Sequence, residues 1–254
     1  CTHCLNASGP ADPWLAPLDA AVARRALAEA EALGVREVYF TGGEPFLHRE
    51  ILPLVEASLS MAATTVLTNG TVMTEALADA LARLAHGSRY SLEIRLSLDA
   101  ADAEANDRVR GRGTWERATR TLRLLDARGL LPIVSATEIA EGAATYDRFR
   151  ALLSALGIAK PRVKILPVFP VGRAVGAPGV RLTDADLEGF DRSTLPCAET
   201  RVVAADGVYA CPILAGLPGA RLSDGALAAA LGPAALYHAA CVTCHRTGAT
   251  CRNA

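Results

Sequence analysis

The cysteines of this 254-residue chain are confined to its two ends. Cys1 and Cys4 open it, and Cys197, Cys211, Cys241, Cys244 and Cys251 fall in the last quarter. Cys1/Cys4 and Cys241/Cys244 both have the C-x2-C spacing. A disulfide-stapled secreted domain spreads an even set of cysteines through a much shorter chain. An odd set in a large chain, paired at this spacing, points instead to metal or iron–sulfur ligation in a reducing, cytoplasmic compartment. Taken alone, Cys1-x2-Cys4 also admits a zinc half-site as the lesser alternative.

Four short polar stretches carry the rest of the chemistry: Gly42-Gly43-Glu44, Thr68-Asn69-Gly70, Ser97-Leu98-Asp99 and Thr137-Glu138. Gly42 and Gly43 have no side chain, so backbone carbonyls can approach a bound ammonium closely. Glu44 can add a carboxylate to that ammonium, and Pro45 suits the first turn of a following helix. By itself the segment is also an ordinary strand-to-helix turn with an acidic residue at the helix start.

Each of these stretches closes an apolar run. Val35–Phe40, Thr64–Thr68, Leu92–Leu98, Pro132–Glu138 and Val163–Val168 read as strands. Between them lie helical patterns: Leu18 to Leu33 stopped by Gly34, Arg49–Leu59, Thr74–Leu84 with Thr74 as cap, a stripe of Trp115, Ala118, Leu122 and Leu125, and Tyr146–Leu156. Strands alternating with helices of this length imply βαβ units and a parallel sheet. Right-handed crossovers would curl that sheet into a barrel or part of one. In such barrels chemistry collects where strands run out into loops at their C-terminal ends, where the four stretches stand. The chain begins with Cys1 rather than Met, so upstream sequence is expected, with room for a further strand.

After Pro170 the texture changes. Pro170-Val171-Gly172-Arg173-Ala174 and Gly176 to Gly179 read as a linker, Asp184 to Phe190 as a short helix, Asp206-Gly207 as a hairpin turn between Arg201–Ala204 and Val208–Cys211, and Ala226–Ala230 as helix. This second unit is too small for a large core, so a cluster shared by its cysteines would staple it. Lys plus Arg is 26 and Asp plus Glu 27, which removes the basic footprint of nucleic-acid binding. No apolar run reaches the roughly 18–20 residues of a membrane span, and a soluble, cytoplasmic protein is expected.

The ordered set of motifs resembles the radical S-adenosylmethionine enzymes. Cys1-Thr2-His3-Cys4 is similar to the second half of their C-x3-C-x2-C cluster loop. Thr41-Gly42-Gly43-Glu44-Pro45 is similar to their GGEP motif, and Ser97-Leu98-Asp99 to the SLD segment. Leu166 to Ala174 resembles the LP-x-x-P-x-GRA stretch that ends the barrel in members with auxiliary clusters. The later cysteines resemble the auxiliary-cluster domains called SPASM and, in shortened form, twitch. The resemblance implies a partial (β/α)6 TIM-like barrel over residues 1–174, its first strand missing here. A small cysteine-rich α+β domain over 175–254 would follow.

For the site it implies a [4Fe–4S] cluster held by Cys1, Cys4 and a first cysteine upstream, with S-adenosylmethionine on the open iron. Gly42, Gly43 and Glu44 would hold the cofactor's ammonium, and Ser97, Asp99 and Arg110 would meet its ribose and carboxylate. Arg110 follows Asp107 as in the family's HD-x-x-R stretch, although Asn106 stands where the His would be. Arg108 or Arg112 could substitute for Arg110. Five late cysteines cannot ligate two cubes, so one auxiliary [4Fe–4S] cluster on Cys197, Cys211, Cys241 and Cys244 is expected. Cys251 is then either spare or a replacement ligand. His238 and His245 could ligate, or donate to cluster sulfurs. The implied activity is cleavage of S-adenosylmethionine to a 5′-deoxyadenosyl radical that takes hydrogen from an organic substrate, foremost a peptide. A flavodoxin or ferredoxin would supply electrons. The alternatives are a molybdopterin-type nucleotide cyclase, whose Gly-rich tail this chain lacks, and a non-catalytic iron–sulfur or zinc module.

Overall fold

A computed structural model describes residues 1–7, 16–138, 144–174 and 181–248. The chain divides into two compact units: Cys1 with Ala30–Leu166, and Thr2–Glu29 with Pro167–Ala254. Helix α1 (Ala20–Ala32) precedes β1 (Glu37–Phe40), and Gly34 between them takes a left-handed φ of +71°. Then follow α2 (Ile51–Leu59), β2 (Ala63–Thr68), α3 (Glu75–Gly87), β3 (Leu92–Ser97), α4 (Ala103–Arg110), α5 (Thr114–Asp126), β4 (Ile133–Glu138), α6 (Ala144–Ala155) and β5 (Arg162–Pro167).

The five strands form one sheet in the order β1-β2-β3-β4-β5. The pairings from β1 to β4 are all parallel, as repeated strand–helix units require. Alternation decides which side of each strand the helices cover. Val66, Ile94 and Leu92 pack with Val55, Leu59 and Leu81 from α2 and α3. Leu96, Val134 and Ala136 pack with Leu122, Phe149 and Leu153 from α5 and α6. Burying each such side chain contributes about 1.5–3 kcal/mol, and these two clusters hold the sheet. Arg95 faces the other way, is 3% exposed, and lies over the Tyr39 ring at 5.4 Å. On that face Arg162 also bonds Glu93. The expected mixed fold with a parallel sheet is therefore present.

The second unit continues with α7 (Asp184–Leu187), β6 (Val202–Ala204), β7 (Gly207–Tyr209), β8 (Arg221–Ser223) and α8 (Ala239–Thr247). Its sheet is antiparallel, β6 pairing β7 across the Asp206-Gly207 turn and β7 pairing β8. Four outcomes differ from the reading of the sequence. The helix expected to reach Phe190 is a single turn, because Glu188 turns extended at ψ 122°. The run Ala226–Ala230 yields only a 3-10 turn at Ala228–Ala230, with Gly225 before it at φ +153° and Gly232-Pro233 after it. Helices α4 and α8 and strand β8 were not foreseen as separate elements. Of the expected linker, the part from Pro170 to Ala174 instead ends in an ordered 3-10 turn at Gly172–Ala174, while 176–179 and Cys251 lie outside the described residues. Among the described residues no helix is long and apolar enough to cross a membrane.

Candidate functional site

The first cluster of groups stands where β1, β2, β3 and β4 end. Past Phe40 the chain turns at Gly42, whose φ of +136° few residues other than glycine adopt. A Cβ built on Gly42 or Gly43 would meet nothing within 4 Å, so the backbone of this turn borders open space. Glu44 caps the 3-10 turn Pro45–Leu47 and accepts from the Phe46 N–H at 3.2 Å. Its Oε1 also accepts from the Thr68 hydroxyl at 2.8 Å, and its Oε2 from the Asn69 N–H at 2.8 Å. Burial pushes the Glu44 pKa up, opposed by the donors from Asn69, Thr68 and Phe46. The carboxylate thus straps the end of β1 to the end of β2.

Asp99 follows β3, and its side chain is fully buried. Its Oδ1 accepts from the Thr137 N–H of β4 at 2.9 Å, and its Oδ2 lies 2.6 Å from Arg110 Nε. Its own N–H donates to Asn106 Oδ1 at 3.0 Å, which ties α4 to the end of β3. Asn106 is fully buried and also donates to Thr114 Oγ1 at 3.1 Å. Next to it Asp107 accepts from the N–H groups of Trp115 (2.9 Å) and Gly113 and from the Thr114 hydroxyl (3.1 Å). These hydrogen bonds, the one from Trp115 foremost, hold its carboxyl below the usual range. Arg110 closes α4 with its side chain 12% exposed, and its Nη1 lies 3.8 Å from Cys1 Sγ. Ser97 ends β3 in register with Ser135.

In the second unit the Cys4 carbonyl accepts from the Ala7 N–H at 3.1 Å and the Arg173 N–H at 2.9 Å. Arg173 Nη2 reaches Ala7 O at 3.3 Å. Gly172, at φ +64°, packs its Cα directly against the Cys4–Leu5 backbone. The Gly172-Arg173-Ala174 turn therefore clamps the cysteine loop.

Further along, Cys197, Cys211, Cys241 and Cys244 line one apolar cavity with Leu195, Ile213, Leu214 and Leu236. Helix α8 puts Cys241 and Cys244 on one face by its i, i+3 spacing. No disulfide joins any of the six described cysteines. Burial pushes the Cys197 and Cys241 thiols up, and Cys197 further through the nearby Cys241. His238 Nδ1 accepts the Ala240 N–H at 3.1 Å and caps α8, while the His245 ring lies 4.4 Å from that of Phe190. Among the described residues no three His, Cys, Asp or Glu side chains converge closely enough for one metal ion. A single zinc draws its sulfurs to within roughly 3.8 Å of one another, as follows from a Zn–S bond of about 2.3 Å. In a cube each thiolate binds a different iron, so a cube would accept thiols set further apart than a single ion would.

The fold and the first site define a parallel α/β half-barrel that gathers its polar groups at the strand C-termini. A sequence profile of the radical SAM superfamily matches residues 1–140, and the chain belongs to that superfamily. Mycofactocin maturase MftC of Mycobacterium tuberculosis is 31% identical over 175 residues, 68% of this chain and 42% of that protein. A GTP 3′,8-cyclase of Chlorobaculum tepidum is 31% identical over 125 residues, 48% of this chain and 36% of its own. This chain thus spans less than half of either curated relative. SuiB of Streptococcus suis, solved with S-adenosylmethionine, shares the fold at a TM-score of 0.64 and 17% identity, over 88% of this chain and 59% of SuiB. SuiB has also been solved with its precursor peptide SuiA, matching at a TM-score of 0.53 and 22% identity over 67% of this chain and 36% of SuiB.

Of the residues expected at this site from the sequence, Gly42, Gly43, Glu44, Ser97, Asp99, Arg110 and Cys1 belong to the first unit, at or beside the strand ends, and Cys4 belongs to the second. The sequence reading missed Thr68 and the Asn69 N–H as partners of Glu44, and Asn106 and Asp107 as the latch that sets Arg110. Asn106 and Asp107 were visible only as a variation on HD-x-x-R.

Proposed function

We propose that the protein is a radical S-adenosylmethionine enzyme that modifies a peptide. When bound, the cluster and S-adenosylmethionine supply a 5′-deoxyadenosyl radical that takes hydrogen from the substrate. The Gly42-Gly43 turn offers its carbonyls to the cofactor's ammonium across the open space it borders. Glu44 fixes that turn and adds negative charge behind it. Arg110, paired with Asp99, would meet the cofactor's carboxylate, and Ser97, at the end of β3, its ribose. Cys1 and Cys4 bind two irons of the cluster. Cys197, Cys211, Cys241 and Cys244 hold one auxiliary [4Fe–4S] cluster, for electron transfer or substrate binding. A flavodoxin or ferredoxin in the cytoplasm is the electron donor.

The observation that carries the reading is the ring of fixed polar groups at the ends of four consecutive strands. A peptide substrate draws support from the likeness to a maturase and to SuiB. The match to a GTP cyclase favours a nucleotide as the second reading. The test uses full-length protein, reconstituted anaerobically with iron and sulfide and then reduced. It should form 5′-deoxyadenosine from S-adenosylmethionine, and Glu44→Ala should weaken cofactor binding with cluster iron unchanged. Absence of 5′-deoxyadenosine under a strong reductant refutes the activity. Stimulation by GTP, and not by peptides encoded beside the gene, selects the cyclase reading.

A further inference from the structure

Arg110 is more constrained than a cofactor-binding cation needs to be. Asp99 is pinned by the Thr137 N–H and forms an ion pair with Arg110, its Oδ2 2.6 Å from Nε. Asn106 holds α4 against the Asp99 backbone, and Gly111, at φ +108°, ends the helix immediately after Arg110. The planar guanidinium, permanently charged, is therefore fixed by one edge. Its Nη1 stands 3.8 Å from Cys1 Sγ. Resting on the radical S-adenosylmethionine reading, we propose that Arg110 is a positioning residue for electron entry. Oriented by Asp99, it donates to the Cys1 thiolate and sets the reduction potential of the cluster that Cys1 ligates.

The physics is that of charge beside an iron–sulfur group. Hydrogen bonds to the sulfurs and local net charge tune cluster potentials. Taking up one electron makes the cluster more negative, and a fixed cation at a ligating sulfur stabilises that form. The potential is thereby raised toward the reach of a one-electron protein donor. No bond is made or broken in this step, and the electron comes from the external reductant. Asp99 tempers the effect with its own charge, but it lies at Nε, while Nη1 faces the sulfur.

The test is an EPR-monitored redox titration of reconstituted full-length protein without S-adenosylmethionine. The N-terminal cluster is identified as the signal that changes when S-adenosylmethionine is added. Arg110→Met should make its reduction about tenfold less favourable, a shift of roughly 59 mV to more negative potential. Arg110→Lys keeps the charge but cannot span Asp99 and Cys1 together, and should fall between. Asp99→Asn should also move the potential, because the guanidinium loses its anchor. A less than twofold change in Arg110→Met, with cofactor affinity reduced, overturns the proposal and leaves Arg110 as a carboxylate ligand only. If Arg110→Met fails to keep its iron, Arg110→Lys decides, and a wild-type potential in that variant overturns the proposal equally. Failure of the underlying activity shows separately, as wild-type protein whose signal ignores S-adenosylmethionine.

Discussion

Replacing Gly172 with alanine puts a Cβ 2.1 Å from the Leu5 carbonyl oxygen and 2.2 Å from that of Cys4. Both are backbone atoms, so no side-chain rotation relieves the overlap. At φ +64° an L-residue already costs roughly 1–2 kcal/mol. Forcing an extra carbon into a filled space adds about 1–3 kcal/mol. If the loop retreats, the hydrogen bond from the Arg173 N–H to Cys4 O is lost, at roughly 0.5–1.5 kcal/mol. We therefore expect Gly172→Ala to destabilise the second unit by roughly 2.5–6.5 kcal/mol, read by urea unfolding and circular dichroism. Gly232→Ala is the control, because a Cβ there meets nothing within 4 Å and its φ lies outside the left-handed region. It should stay within about 0.5 kcal/mol of the parent. A Gly172→Ala protein as stable as Gly232→Ala would refute the clamp between this turn and the cysteine loop.

Thr68→Val removes a donor from Glu44 and the acceptor of the Gly70 N–H, and should cost about 1–3 kcal/mol in urea unfolding at pH 7. Its Glu44 component should shrink in acid, where a protonated Glu44 no longer needs the donor. The Asp107 carboxyl is held below its usual value in the folded chain. Its stabilisation is present above the unfolded pKa and is lost as pH falls through the lower folded one, so parent and Asp107→Asn unfolding midpoints should converge in acid. A constant gap from neutral pH into strong acid would contradict that assignment. In reconstituted full-length protein, Cys211→Ala or Cys241→Ala should remove about four of about eight irons, and Cys251→Ala none. Iron and sulfide analysis decides, and equal loss from Cys251→Ala would place it among the ligands.

The strands were legible because each packs one apolar face under helices whose own stripes are apolar. Helix α4 was not, and its sequence AEANDRVR shows why. Its one buried residue is Asn106, so hydrogen bonds rather than apolar burial attach it. Periodicity of hydrophobic residues is blind to such an element. Strand β8 has three residues, too few for alternation to register. The cysteines of the second unit were found by type and spacing. That four of them surround one cavity needed the tertiary pairing of α8 with the segments carrying Cys197 and Cys211. Glu44 was recognised by its motif, yet two of its three partners lie 24 and 25 residues away and carry no local signal.

The strap made by Glu44 bears on the kinetics of ligand arrival. A glycine-glycine turn left to itself samples many shapes, and a ligand would have to freeze one of them at the moment of encounter. Here three donors fix the carboxylate behind the turn while the chain folds. The ordering entropy is charged to folding, and the arriving molecule meets a surface already set. Association should then proceed without a conformational lag, and loosening the strap should show first as faster dissociation.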